Sequence, residues 1–266
     1  MRLISGLSLL LLASMVPAAD AAPAPVPTVR NGLPGYVLSW QDEFDGAAVN
    51  TTRWSYRTDP SIWSAQQRQN VAVADGNLVI HLRKEAVAGK EYTGGGVITK
   101  ATSSRGFYEA RLRIPAGAGW HTSFRLSAPT TADASGATPS LREISVCEND
   151  AITGNRSSVV LGIMAGQRFN VGGKTVVTEG LATEFHTFGV EVTERLVIFY
   201  RDGEVQQSVD LEHLNLKDGR TVAVVPGDYR IWLSCVAANL GGTTAVDEVA
   251  LPATLQVDYL RYFTKP

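Results

Sequence analysis

The stretch HTFGVEVTERLVIFYRDGEVQQSV, His186 to Val209, decides the fold class. It reads as two strands and a hairpin, because Asp202-Gly203 supplies the positive φ that a tight β-turn needs and the flanks are rich in β-branched and aromatic residues. The same pattern spreads outward. NLVIHLRKE (Asn77 to Glu85) alternates apolar and polar residues after the turn Asp75-Gly76, and GFYEARLRIPAG sets Phe107, Glu109, Arg111 and Arg113 against Tyr108, Ala110, Leu112 and Ile114. YRIWLSCVA (Tyr229 to Ala237) and LQVDYLRYF (Leu255 to Phe263) add two more strands. No long stretch has a helical period, and the 25 glycines suit many turns. Strands at this spacing predict an all-β fold, a β-sandwich or jelly roll.

The chain has 266 residues, 44% hydrophobic and 19% charged, enough for a sizeable core, and a net charge of -2 that gives no general attraction to nucleic acid or anionic membrane. Arg2, the apolar run Leu7 to Val16 and the small-residue site Ala19-Asp20-Ala21 predict a signal peptide over 1–21. Residues 22–36 read as a Pro/Ala-rich linker, and 37–266 as one domain. The expected location is therefore outside the cytoplasm, secreted or periplasmic, with no membrane attachment after the leader is removed, and nothing in the sequence demands an oligomer over a monomer. Cys147 and Cys235 lie in apolar runs where buried thiols are common, and export also permits a disulfide between them. The histidines have no zinc-motif spacing, and no Walker, GxSxG or dinucleotide signature occurs.

REISVCEND, Arg142 to Asp150, holds the strongest chemistry. On a strand, Glu143, Ser145 and Cys147 share one face, while Glu148 falls on the other. A β-bulge would restore the phase and bring Glu148 beside Glu143. Their Cα atoms would then be about 13 Å apart, and inward-leaning side chains would bring the carboxyls to about 5–6 Å, near the gap of about 5–5.5 Å used by retaining glycosidases. Without a bulge these are acids on the two faces of a strand. Spacing alone leaves both readings open.

Several segments in order resemble family 16 of the glycoside hydrolases, the laminarinase, lichenase and agarase group: LSWQDEFDGAAVNTTRW, QNVAVADGNLVIHLRKE, YTGGGVITK, RGFYEARLRIPAGAGWHTSF, EFHTFGVEVTERLVIFYRDGEV and LQVDYLRYF. The resemblance spans about 37–263. It implies a curved, concanavalin A-like jelly roll with a substrate cleft on the concave sheet, and a retaining endo-hydrolase of β-linked polysaccharide. The family motif Glu-x-Asp-x-x-Glu, or a version one residue shorter, aligns here as Glu143, Ser145 and Glu148. This makes Glu143 the nucleophile and Glu148 the acid/base, with Ser145 replacing the middle Asp. A serine hydroxyl can donate to Glu143 but adds no charge, so a slow enzyme or an acid-shifted optimum is expected.

The resemblance also places Trp120 and His121 along the cleft, Trp120 offering an apolar face to a pyranose. Asn70 matches a sugar-contacting Asn, and Trp63 and Trp232 are further groove candidates, with burial as their alternative. Arg125 stands where the family usually has Trp, which points to an anionic glycan, or else Arg125 pairs with an acid such as Glu143. No cofactor is required. A structural Ca²⁺ on the convex side is implied for many members, with Glu43 and Asp258 on the ligand-bearing segments. The expected partner is a polysaccharide or oligosaccharide. Two rival functions remain: a glycan-binding relative with weakened catalysis, and a transglycosylase.

Overall fold

The computed structural model describes residues 32–60, 63–129, 140–149, 156–164, 168–177, 180–215, 219–238 and 245–266, with backbone only at 140, 156–164 and 168–177. The predicted leader and residues 22–31 of the linker lie outside them. The chain begins with β1 (Val37–Asp42), β2 (Trp54–Tyr56), β3 (Ser64–Gln66), β4 (Val71–Ala74), β5 (Asn77–Val87), β6 (Lys90–Thr99) and β7 (Gly106–Arg113). Next come β8 (Trp120–Ser127), β9 (Ser140–Asn149), β10 (Arg156–Met164), β11 (Arg168–Val177), β12 (His186–Val192), β13 (Leu196–Arg201) and β14 (Glu204–Asp210). Short β15 (Leu214–Asn215), β16 (Thr221–Val222) and β17 (Val225–Pro226) precede β18 (Arg230–Ala237) and β19 (Ala253–Thr264).

These strands form the curved sandwich that the alternation predicts. One layer runs β4-β5-β19-β7-β12-β13-β14, with β1 along the far half of β19. The other, which carries the site, runs β2-β6-β18-β8-β9-β10-β11. The β5–β6 hairpin passes from one layer to the other. Between the layers, Leu78, Ile80, Tyr108, Ala110 and Leu112 meet Phe124, Leu126, Ile144, Ile231 and Leu233. Each large apolar side chain buried there contributes about 1.5–3 kcal/mol.

Two local patterns differ from the sequence reading. The opening stretch contains three strands, β12 to β14, because Thr193 makes a turn without glycine or proline: its Oγ1 accepts the Leu196 N–H at 2.7 Å. On β7 the face expected to be polar is also covered. Phe107 packs among Tyr36, Tyr200 and Phe263, and Glu109 is 3% exposed beneath Tyr259.

In β6 the run Gly94-Gly95-Gly96 lets the strand press closely against its neighbours. A Cβ at these positions would lie 2.5 Å from the Cys235 carbonyl oxygen, 2.7 Å from Val71 Cγ2 and 2.7 Å from Ser234 Cβ, respectively. Cys147 and Cys235 are free, buried thiols. Burial pushes both thiols up, Cys235 to about 12, so neither is a ready nucleophile at neutral pH.

Candidate active site

The β-bulge required by the motif is present. Against β8, Ser145 is level with Arg125, Cys147 with Phe124 and Glu148 with Ser123, so β9 has one residue more than its partner, at Val146. Against β10, Ser145 pairs with Val160 and Glu148 with Ser158, the same surplus. The extra residue turns Cys147 toward the core with Phe124 and returns Glu148 to the face of Glu143 and Ser145.

Sheet register then lays out the floor in rows across the strands. Glu148 is level with Ser123, Ser234 and Gly96, and Arg57 extends this row by donating its backbone N–H to the Gly96 carbonyl at 2.8 Å. Ser145 is level with Arg125, Trp232 and Ile98, and Glu143 with Ser127 and Arg230. The contacts sort the two acids. Ser145 Oγ donates to Glu148 Oε1 at 2.8 Å, so the serine serves the second glutamate rather than the first. His121 Nε2 lies 3.7 Å from the same oxygen. Arg125 Nη1 lies 3.6 Å from Glu143 Oε2, which realises the pairing that the sequence left open.

Trp232 is half-buried on the floor, with the Arg125 guanidinium 4.4 Å and the Arg57 guanidinium 5.6 Å from its ring centroid. Arg57 is held by Asp59 through two hydrogen bonds, 2.7 and 2.9 Å, and reaches Ser234 Oγ at 3.3 Å. Burial pushes the Asp59 carboxyl up, but hydrogen bonds and charge from Arg57, with a smaller contribution from Arg125, hold it below its ordinary value.

Two sequence-predicted contacts are corrected. Trp120 is fully buried: counting back from Arg125, alternation sends His121 to the cleft and Trp120 into the core, where it has no face for a sugar. Asn70 is also fully buried, its Nδ2 donating to the Gly94 carbonyl at 3.0 Å, so it braces the glycine run. Trp63 is half-buried and lines an open cavity of about 400 Å³ with Lys90, Tyr92 and Val246, beside the β5–β6 hairpin. Glu43 and Asp258, the residues named for calcium, are each met by an arginine. Arg261 occupies both Glu43 oxygens at 2.8 Å, Arg111 donates to Asp258 at 2.6 Å, and calcium needs six to eight oxygens. Among the described residues the close group of metal-ligating types is Asp210, Glu212 and His213, whose two carboxylates are met by Arg195.

The sequence reading missed Arg57, Asp59 and Ser234. Arg57 and Asp59 are two residues apart in an extended segment and so share a face, but only the pairing of β6 with β18 brings them to Trp232.

Residues 59–220 match the family model described as Glycosyl hydrolases family 16. The chain is 28% identical over 248 residues to a beta-glucanase of Rhodothermus marinus, covering 86% of each protein. It is 27% identical over 203 residues to a glucan endo-1,3-beta-glucosidase of Cryptopygus antarcticus, covering 69% of this chain and 73% of that one. Among solved structures, a mutant of SCLam, a non-specific endo-beta-1,3(4)-glucanase co-crystallized with 1,3-beta-D-cellotriosyl-glucose, superposes with a TM-score of 0.73 at 25% identity, over 88% of this chain and 96% of that chain.

Proposed function

Because the chain belongs to family 16 of the glycosyl hydrolases and is an endo-β-glycanase, we propose that it cleaves by a retaining double displacement, with Glu143 as nucleophile and Glu148 as acid and base. In the first step the Glu143 carboxylate attacks the anomeric carbon while Glu148 gives its proton to the departing glycosidic oxygen, leaving a glycosyl ester on Glu143. In the second, Glu148 takes a proton from water, the hydroxide attacks the same carbon, and Glu143 departs as carboxylate. Two inversions return the original configuration.

The observation that carries this reading is the bulge at Val146, which puts both glutamates on one cleft-facing side of β9 with Ser145 between them. Ser145 is a positioning residue: its hydroxyl fixes one oxygen of Glu148. A donated hydrogen bond favours a carboxylate over a carboxylic acid, so the expected activity optimum lies on the acid side of neutral.

Release of reducing sugar from laminarin, lichenan and agarose tests the hydrolase. NMR of the first product must show the β-anomer, and an α-anomer would sink the retaining scheme. Enlarged products would mark a transglycosylase, and binding without turnover a glycan-binding protein. We further propose export through the 1–21 leader, on the strength of Arg2, Leu7 to Val16 and Ala19-Asp20-Ala21. A mature N-terminus near Ala22, in the medium or periplasm, is the expected result.

A further inference from the structure

The floor beside Glu143 is not an open aromatic platform. Trp232 is approached by two guanidinium groups, Arg125 and Arg57. A third arginine, Arg230, stands two residues before Trp232 on β18, shares its face, is exposed, and lies in the row of Glu143. Asp59 answers Arg57 with two hydrogen bonds. Across this floor three guanidiniums stand against three carboxylates, Asp59, Glu143 and Glu148, so the positive charge is a local feature around Trp232 and not an excess over the whole strip.

A neutral pyranose is served well by a bare indole face, which meets its apolar C–H side. Here the indole is overlaid by guanidinium, whose planar fork of N–H donors matches carboxylate and sulfate oxygens. From the neighbouring row Arg125 comes within 3.6 Å of Glu143, so what it recognises lies next to the reacting carbon.

We propose that the sugar bound against Arg125 carries a negatively charged substituent, a carboxylate or a sulfate ester, and that Arg125, seated on Trp232, selects for it. This rests on the hydrolase reading of the same site and adds a charge requirement to it. Trp232 sets the plane of the Arg125 fork, Asp59 fixes Arg57 on the other side, and Arg230 adds positive charge at the open edge.

The test uses the mature chain and substrates that differ in charge on one backbone: laminarin, sulfated laminarin and C6-oxidised laminarin, with agarose against porphyran as a second backbone. The expected result is a kcat/KM at least about tenfold higher on a charged member than on its neutral parent. That ratio should fall as salt rises. The sulfated and oxidised arms tell which anion is meant. Arg125→Gln should collapse the charged-to-neutral ratio toward one, and Arg125→Lys should keep part of it, since charge remains without the fork. The inference is overturned if every neutral parent is cleaved as well as its charged derivative, or if Arg125→Gln lowers both equally. Should Arg125→Gln fail to fold, the Arg125→Lys ratio and the wild-type salt dependence decide in the same way. If the wild type cleaves none of these glycans, calorimetry with the charged and neutral oligosaccharides separates the two ideas. Tighter binding of the charged one keeps the inference while the hydrolase reading falls, and equal binding sinks the inference.

Discussion

Both layers of the sandwich bury acids on their strands, and they treat them differently. On the outer layer, Glu109 accepts a hydrogen bond from Tyr259 at 2.9 Å, and Glu191 accepts from Tyr36 at 2.8 Å and Tyr200 at 3.1 Å. Those carboxylates are locked under aromatic rings. On the concave layer, Glu143 meets Arg125 at 3.6 Å, and Glu148 meets Ser145 at 2.8 Å and His121 at 3.7 Å. The difference lies in the partners: tyrosine hydroxyls on the outer layer, and an arginine, a serine and a histidine on the concave one. A buried glutamate is thus no sign of catalysis by itself.

The comparison can be broken most sharply by removing each acid in turn. Glu143→Gln and Glu148→Gln are expected to cut kcat by about a thousandfold or more without altering the melting temperature much, whereas Glu109→Gln and Glu191→Gln should keep turnover within a few-fold. Equal losses on the two layers would refute the contrast.

The next effect is on stability. Burial pushes the Glu109 carboxyl up to about 7, against the lowering pull of the Tyr259 hydroxyl and the Arg261 guanidinium. The folded state therefore holds a proton that the unfolded state has already lost between about pH 4.5 and 7. Stability should fall as pH rises through that window, by on the order of 3 kcal/mol, and level off above it. Glu109→Gln should remove this slope in denaturant titrations between pH 5 and 8, and a variant with the wild-type slope would show the burial to be misjudged.

Ser145→Ala should cost about ten- to a hundredfold in kcat, since hydrogen bonds to charged groups are worth about 1.5–3 kcal/mol. Ser145→Asp would set a second carboxylate against Glu148, and one of the two would keep its proton to higher pH. Its pH–rate profile should move upward, and an unmoved profile would mean that Ser145 does not act on Glu148. The last change is Gly96→Ala, whose methyl would lie 2.7 Å from Ser234 Cβ and 2.8 Å from the Leu233 carbonyl oxygen, so that strand backbone has to move. A loss of roughly 1–3 kcal/mol is expected by thermal melting.

Much of this was legible in the sequence, for physical reasons that differ from place to place. The strands were readable because alternation in Leu255 and Val257 against Gln256 and Asp258 answers directly to burial. The bulge was a requirement of the catalytic reading, because two glutamates five apart cannot share a strand face without one, but the spacing alone did not show it. Trp120 was assigned to the cleft by resemblance, although alternation counted from Arg125 already sends it inward. Asn70 could not be read, because its partner Gly94 lies on another strand. Nor could the serine's choice of Glu148 over Glu143, which depends on how the bulge aims the Ser145 hydroxyl. Arg57 was overlooked for the same reason as Asn70: 177 residues separate it from Ser234, and only the closed sheet joins them.

The surplus residue at Val146 has one more consequence. Sheets count rungs, not residues. Excising Val146 would leave Glu-Ile-Ser-Cys-Glu, in which both glutamates and the serine still alternate onto one side while the cysteine still points inward. The motif therefore contains a spare letter: losing Val146 or Cys147 keeps both glutamates and the serine in step, whereas losing Ile144 keeps the glutamates in step but turns the serine inward. A shorter strand is thus tolerated beyond Ser145 and costly before it.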